Sequence, residues 1–178
     1  ATNYAEASSV FILNNNVFVG GYKRAANGNL IAMYWKNNAP FVLTISATNS
    51  TVIDIFAKGD SVISLGFTDS KATYWLANTA FEIDTDLITA RKVVFNGEDM
   101  YILFSGFDTE IDNIATAYLK NGEKTIINQP STLGLGITLN DIFISKNDVY
   151  LVGNDTNDDG NYPMIAHYWK NGKSYNLT

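Results

Sequence analysis

The stretch IAMYWK at residues 31–36 returns three times along the chain, as KATYWL at 71–76, IATAYLK at 114–120 and IAHYWK at 165–170. The tyrosines Tyr34, Tyr74, Tyr118 and Tyr168 step by 40, 44 and 50 residues, and Leu119 stands where the other copies have Trp35, Trp75 and Trp169. A second anchor, a glycine closing an apolar run, sits at Gly21, Gly66, Gly106 and Gly153, in steps of 45, 40 and 47. Two anchors that keep one period mark tandem repeats. The chain divides on them into units of approximately 1–48, 49–89, 90–135 and 136–178, together one repeat domain.

Each unit has the same internal order. An apolar run comes first, from Val10, Val52, Val93 or Asp141, and a tight polar turn such as Asn14-Asn15-Asn16 or Asn96-Gly97-Glu98 follows. These turn residues tolerate positive φ or bond their own backbone, as hairpins require. A second run starts at Val17, Ser61, Met100 or Val149, and a polar loop of variable length leads into the tyrosine-bearing third run. Lys120-Asn121-Gly122 and Lys170-Asn171-Gly172 then carry the strongest short hairpin signal, Asn-Gly, and a short fourth run closes the unit. Val, Ile, Phe and Tyr dominate these runs, with no helical periodicity.

Alternation on the third strand says how the units are buried. Ala32 and Tyr34 point one way while Ile31, Met33 and Trp35 point the other, so both faces are apolar. A sandwich would leave one face polar, whereas radially stacked sheets cover both. The expected fold is therefore all-β, a β-propeller or a fragment of one, with four four-stranded antiparallel blades. The four tyrosines should be equivalent on the third strands, and Trp35, Trp75 and Trp169 should be buried between sheets.

With Gly20-Gly21-Tyr22 followed by Tyr34-Trp35-Lys36-Asn37, a unit resembles a kelch-type blade. It is more similar still to the tandem repeats, with DVYLVG, IAHYWKNGK and NLT as here at 148–153, 165–173 and 176–178, of exported bacterial propeller-like proteins of largely unassigned function. The resemblance covers the whole chain, is best over 141–178, and is weakest in the second unit, where Leu76-Ala77-Asn78 replaces Lys-Asn-Gly. It implies an extracellular or cell-surface propeller that binds something, and names no ligand. Joined end to end the termini would continue the pattern, as in a closed four-bladed ring or a piece of a longer array.

Composition narrows the function classes. The 178 residues are 46% hydrophobic and 13% aromatic, enough for a real core. Without cysteine there is no disulfide framework, thiolate metal site or thiol nucleophile. A net charge of −6, with no basic group longer than Lys23-Arg24 or Arg91-Lys92, argues against nucleic acid. No run approaches the ~20 apolar residues of a membrane span.

Candidate chemistry is sparse. Asp155-Thr156-Asn157-Asp158-Asp159-Gly160 matches the opening of a calcium loop, in which oxygens at alternate positions converge on a hard cation. Asp155, Asn157 and Asp159 are thus the metal candidates, and calcium the one candidate cofactor. Ala166 stands where such a loop ends in Glu, so a solvated acidic loop is the competing reading. Asp108, Glu110 and Asp112 repeat the alternate spacing. His167, the single histidine, falls in the slot of Met33, Thr73 and Ala117, a packing position. No residue pattern in the sequence forms a catalytic constellation. The expected function is a non-enzymatic binding or adhesion module that holds a glycan or protein ligand through variable rim loops. The alternatives are a glycan-active hydrolase or lyase using a carboxylate pair, and a structural spacer in a longer array.

Overall fold

In the computed structural model, residues 4–83, 89–108, 113–127, 137–156 and 164–177 are described. They form sixteen strands and, among the described residues, no helix. Blade 1 holds β1 (Ala5–Leu13), β2 (Asn16–Arg24), β3 (Leu30–Lys36) and β4 (Ala39–Val42). Blade 2 holds β5 (Ser50–Lys58), β6 (Ser61–Thr68), β7 (Lys71–Leu76) and β8 (Thr79–Glu82). Blade 3 holds β9 (Thr89–Asn96), β10 (Asp99–Asp108), β11 (Asn113–Lys120) and β12 (Glu123–Ile126). Blade 4 holds β13 (Thr138–Ser145), β14 (Asp148–Thr156), β15 (Met164–Lys170) and β16 (Lys173–Asn176). Every sheet runs in chain order and antiparallel throughout, a simple meander. The chain forms two compact units, Ala1–Thr85 with blades 1 and 2 and Asp86–Thr178 with blades 3 and 4.

The turn chemistry is as the sequence demands. Asn14 and Asn15 have φ of 48° and 62°, and Asn171 and Gly172 have 51° and 80°. Two successive positive φ values make the turn whose twist matches the strands it joins. The Lys-Asn step before the fourth strand does more than turn. The side-chain oxygens of Asn37, Asn121 and Asn171 accept from the backbone N–H of Val17, Met100 and Val149, at 2.9, 2.8 and 2.8 Å. Their Nδ2 groups donate to Asn16, Asp99 and Asp148. The preceding lysines lie over aromatic rings of the second strand, Lys36 over Phe18, Lys120 over Tyr101 and Lys170 over Tyr150. The repeat's most recognisable motif is therefore a lock between the second and third strands. Blade 2 lacks the whole set: Leu76 and Ala77 replace Lys and Asn, and Leu76 pairs with Ile63.

Each first strand carries a bulge at the same place. One extra residue, Ser8, Ile53, Arg91 or Asn140, is accommodated opposite the second strand. In three blades a glycine pairs with the residue before it, Gly21 with Ala7, Gly66 with Val52 and Gly153 with Leu139. A Cβ at these glycines would collide with the backbone carbonyl of Glu6, Thr51 or Thr138. In blade 3 the equivalent residue is Phe104, paired with Ala90 and Ala117. The sequence anchor is corrected here: Gly106 pairs with Ala115, two residues further along the ladder. The tyrosines Tyr34, Tyr74, Tyr118 and Tyr168 do occupy one position on the four third strands.

The core lies between blades. In unit 1 the tyrosine face of blade 1, with Phe18, Ala32 and Tyr34, packs on the tryptophan face of blade 2, with Val52, Ile55, Val62 and Trp75. In unit 2 Tyr101, Leu103 and Tyr118 of blade 3 pack in the same way on Ile142, Leu151 and Trp169 of blade 4. Gly20 permits this approach in unit 1, since a Cβ there would stand 2.7 Å from Val52 Cγ1. Trp75 and Trp169 are fully buried, as expected, while Trp35 is only half-buried.

Two stability outcomes follow from this packing. Trp75→Ala should cost about 3–5 kcal/mol in denaturant unfolding, as for other buried aromatics. Ala77 holds φ of 53°, a region that asparagine enters more readily than alanine. Ala77→Asn should therefore gain about 1 kcal/mol, by relieving that backbone and restoring the side-chain acceptor for the N–H of Val62. An unchanged midpoint would show that the lock contributes nothing in blade 2.

Candidate functional site

The bulge also decides which residues face one another near the start of the first strand. One step before it, the four blades carry Glu6, Thr51, Thr89 and Thr138, opposite Tyr22, Phe67, Ser105 and Asn154. Threonine suits a strand because its branched side chain packs on the pleat. Glu6 breaks that row, and polar chemistry collects around it.

The Tyr22 hydroxyl donates to Glu6 Oε2 at 2.6 Å, and the Tyr4 hydroxyl donates to the same oxygen at 3.0 Å. The ladder extends to Tyr4, whose carbonyl accepts from the N–H of Arg24 at 2.8 Å. That pairing sets the Arg24 guanidinium 5.2 Å from the centroid of the Tyr4 ring, and the Tyr4 and Tyr22 rings lie 6.2 Å apart at 36°. Arg24 and Glu6 are exposed, as is Tyr4, and Tyr22 is half-buried. The result is an open surface with two aromatic rings, one carboxylate and one guanidinium.

The hydrogen bonds from Tyr22 and then Tyr4 hold the Glu6 carboxyl below its ordinary value of 4.5. The same bond, with Tyr4 adding to it, pushes the Tyr22 phenol well above its ordinary 10. At neutral pH the pair is thus an ionised carboxylate and a protonated phenol. Two hydroxyl donors thus hold one ionised, solvent-facing carboxylate in a fixed orientation, and the group poised to act as a nucleophile is Glu6.

A second polar contact lies further along the same strand. The first residue after the bulge is Ser9, Asp54, Lys92 or Asp141 in the four blades. In unit 1 the Ser9 hydroxyl donates to Asp54 Oδ1 at 2.6 Å, which joins the first strands of blades 1 and 2. Asp54 is buried, and Ser9 supplies one of the polar partners that a buried carboxylate requires.

The residues singled out in the sequence fare unevenly. Asn157 and Asp159 of the calcium candidate, like Glu110 and Asp112, lie outside the described residues. Asp155 belongs to β14, where its backbone pairs with Ile165. Among the described residues no group of three or more acids and histidines gathers to hold a metal. His167 pairs with Gly153, equivalent to Met33 opposite Gly21 and Thr73 opposite Gly66. Its Nδ1 meets the Ser174 hydroxyl at 2.7 Å and its ring stacks on Trp169. The cluster around Glu6 was not anticipated, because the repeats were matched from Val10 onward. Extending the match four residues toward the N-terminus would have exposed one Glu against three Thr.

Among solved structures, the catalytic domain of a Coprinopsis cinerea GH62 alpha-L-arabinofuranosidase matches 94% of this chain at 10% identity, with a TM-score of 0.50. The chain is built of β-propeller blades. It spans 64% of that fungal domain. The Bacillus subtilis arabinanase Arb43A matches 93% of the chain, with 74% of its own length covered, at 12% identity and a TM-score of 0.44. No family model matches the sequence, and a search among curated proteins finds no match. The expected non-enzymatic binding or adhesion module is corrected by this comparison, because the fungal domain that shares the fold is a glycoside hydrolase. At 10% identity the likeness establishes the fold. No helix among the described residues is long and apolar enough to cross a membrane.

The hydrogen-bonded pair makes a prediction about pH. The depressed Glu6 value gives stability that is present above 4.5 and fades as pH falls through the folded value. The raised Tyr22 value gives stability that is present below 10 and is lost as pH rises through the folded value. Ultraviolet titration of Glu6→Gln should therefore show one more tyrosine ionising near its ordinary pH of about 10 than in the unaltered chain. Identical titration curves would mean that the pair does not form in solution.

Proposed function

We propose that this chain is the blade scaffold of a glycan-active hydrolase working at the Tyr4–Glu6–Tyr22–Arg24 surface. The observation that carries this reading is the 2.6 Å bond from the Tyr22 hydroxyl to a carboxylate already oriented by Tyr4. In this reading the ionised Glu6 carboxylate, held in place by the Tyr22 and Tyr4 hydroxyls, attacks the anomeric carbon as the glycosidic C–O bond breaks. The ring faces of Tyr4 and Tyr22 accept the C–H face of a sugar, and the Arg24 guanidinium offers donors to its hydroxyls. The leaving oxygen must gain a proton as the bond breaks. Water supplies that proton, and the hydroxide left behind attacks the anomeric carbon of the glycosyl–Glu6 ester, releasing the sugar and freeing the carboxylate.

The fold shared with a glycoside hydrolase domain supports the class, and an arabinose-containing polysaccharide is the first substrate to try. Such a substrate lies outside the cell, so the reading also places the protein there.

The test is release of reducing sugar from a panel of plant polysaccharides and aryl glycosides. Tyr22→Phe and Glu6→Gln should each lower kcat by about 10²–10⁴ while the protein stays folded, its melting temperature falling only slightly because the pair is exposed. Arg24→Ala should act mainly on KM. Hydrolysis by none of the proteins, or full activity in Tyr22→Phe, would sink the proposal.

A further inference from the structure

Where the chain crosses from blade 1 to blade 2, inside unit 1, residues 43–49 are fastened to both sheets. The Leu43 N–H donates to the Ala32 carbonyl and the Ala32 N–H to the Thr44 hydroxyl, each at 3.0 Å. The side-chain amides of Asn27 and Asn29 both donate to the Ser46 carbonyl, at 2.8 and 3.0 Å. The Asn49 side-chain oxygen accepts from the Leu30 N–H, and its backbone exchanges two bonds with Asp69 in the turn between β6 and β7. A crossing held at so many points keeps the shape of the pocket it borders, and a preformed pocket spares a ligand the cost of ordering it.

That pocket has a volume of about 420 Å³. Val42, Leu43, Ile45 and Ala80 give it aliphatic walls, and no charged or aromatic side chain of the described residues lines it. Ile45 is 72% exposed and Val42 49%, apolar surface that a ligand would remove from water. Three threonines complete the lining. The Thr44 hydroxyl is engaged by Ala32, and the Thr48 hydroxyl donates to the Ile45 carbonyl and accepts from Ser50. The Thr68 hydroxyl differs: it is closed off from solvent and has no hydrogen-bond partner among the described residues. A buried hydroxyl without a partner is costly. A turn about χ1 to the next staggered position exchanges hydroxyl and methyl group and would present it to the pocket.

We propose that this pocket binds an uncharged ligand of two fused rings bearing one hydroxyl, its rings on the aliphatic walls and its hydroxyl on Thr68. The walls hold no partner for an ionised group, and a bare sugar would bring more hydroxyls than Thr68 can pair. A cavity of about 150 Å³ holds benzene, so this one takes the larger ring system. A peptide added as a strand to β4 does not fit. Leu43 turns its N–H toward β3, so alternation sets Pro40 toward the free edge, where proline has no donor to offer. The site is independent of the hydrolase reading.

Fluorescence titration of the full chain with 2-naphthol tests it. Saturable binding is expected, with a Kd of about 10⁻⁴–10⁻³ M for a ligand of this size. The 2-naphthoate anion should bind about tenfold more weakly or worse, because the pocket leaves its charge unpaired. Ile45→Glu alters an exposed side chain, so the variant should fold, and the charge it sets at the pocket should abolish binding. Thr68→Val keeps the shape and removes the hydroxyl. Its Kd should rise about 3–10-fold, with a melting temperature no lower than that of the unaltered chain, while Thr68→Ser should bind as the unaltered chain does. Absence of saturation at millimolar 2-naphthol, equal affinity for 2-naphthoate, or unchanged binding in Ile45→Glu or Thr68→Val would each overturn the proposal.

Discussion

Trp75 is fully buried only because the Tyr34 face of the preceding sheet lies over it, and Trp169 depends on the Tyr118 face in the same way. A four-stranded meander with both faces apolar cannot bury either face by itself, so each blade is completed by its neighbour. Most other features serve that stacking. Gly20 clears the space between β2 and β5 in unit 1. The Ser9–Asp54 bond and the bond from the Thr116 hydroxyl to the Ile137 carbonyl, at 2.7 Å, tie one blade to the next where apolar contact alone would let the sheets slide.

The residues that make the repeat recognisable are scaffold. Lys, Asn and the aromatic ring beneath the lysine cooperate to fasten the third strand to the second in blades 1, 3 and 4, and blade 2 has lost all three partners together. A motif kept for geometry says little about chemistry, and here it drew attention away from the position where chemistry collects. Glu6 is conspicuous for the opposite reason. It departs from the threonine of its three counterparts and from the strand preference that threonine serves.

Glu6 meets Tyr22 because the bulge at Ser8 lengthens one strand by one residue. Without that insertion the pairing before Ala7 would slip by one place, and every side chain there would change face. In this blade, as in two others, the glycine opposite leaves room for a carbonyl that a Cβ would strike, and blade 3 carries the bulge with Phe104 there instead. A backbone device repeated for structural reasons in all four blades is thus also what aligns a carboxylate with a phenol in one of them.

The strands, hairpins and two-sided apolar character of the blades were legible in the chain itself, because alternation and turn preference are local properties of a few consecutive residues. The four equivalent tyrosines followed from them. The Gly106 anchor failed where locality fails. Blade 3 puts Phe104 at the bulge, and ladder register depends on a strand that lies elsewhere in the chain. The burial of Trp75 and the half-exposure of Trp35 could not be separated in sequence either, since their local surroundings match and only the presence of a covering sheet differs. Tyr4, Glu6, Tyr22 and Arg24 became a cluster through tertiary structure alone: hydrogen bonding across strands joins residues up to twenty positions apart, and no spacing rule along the chain encodes a bulge.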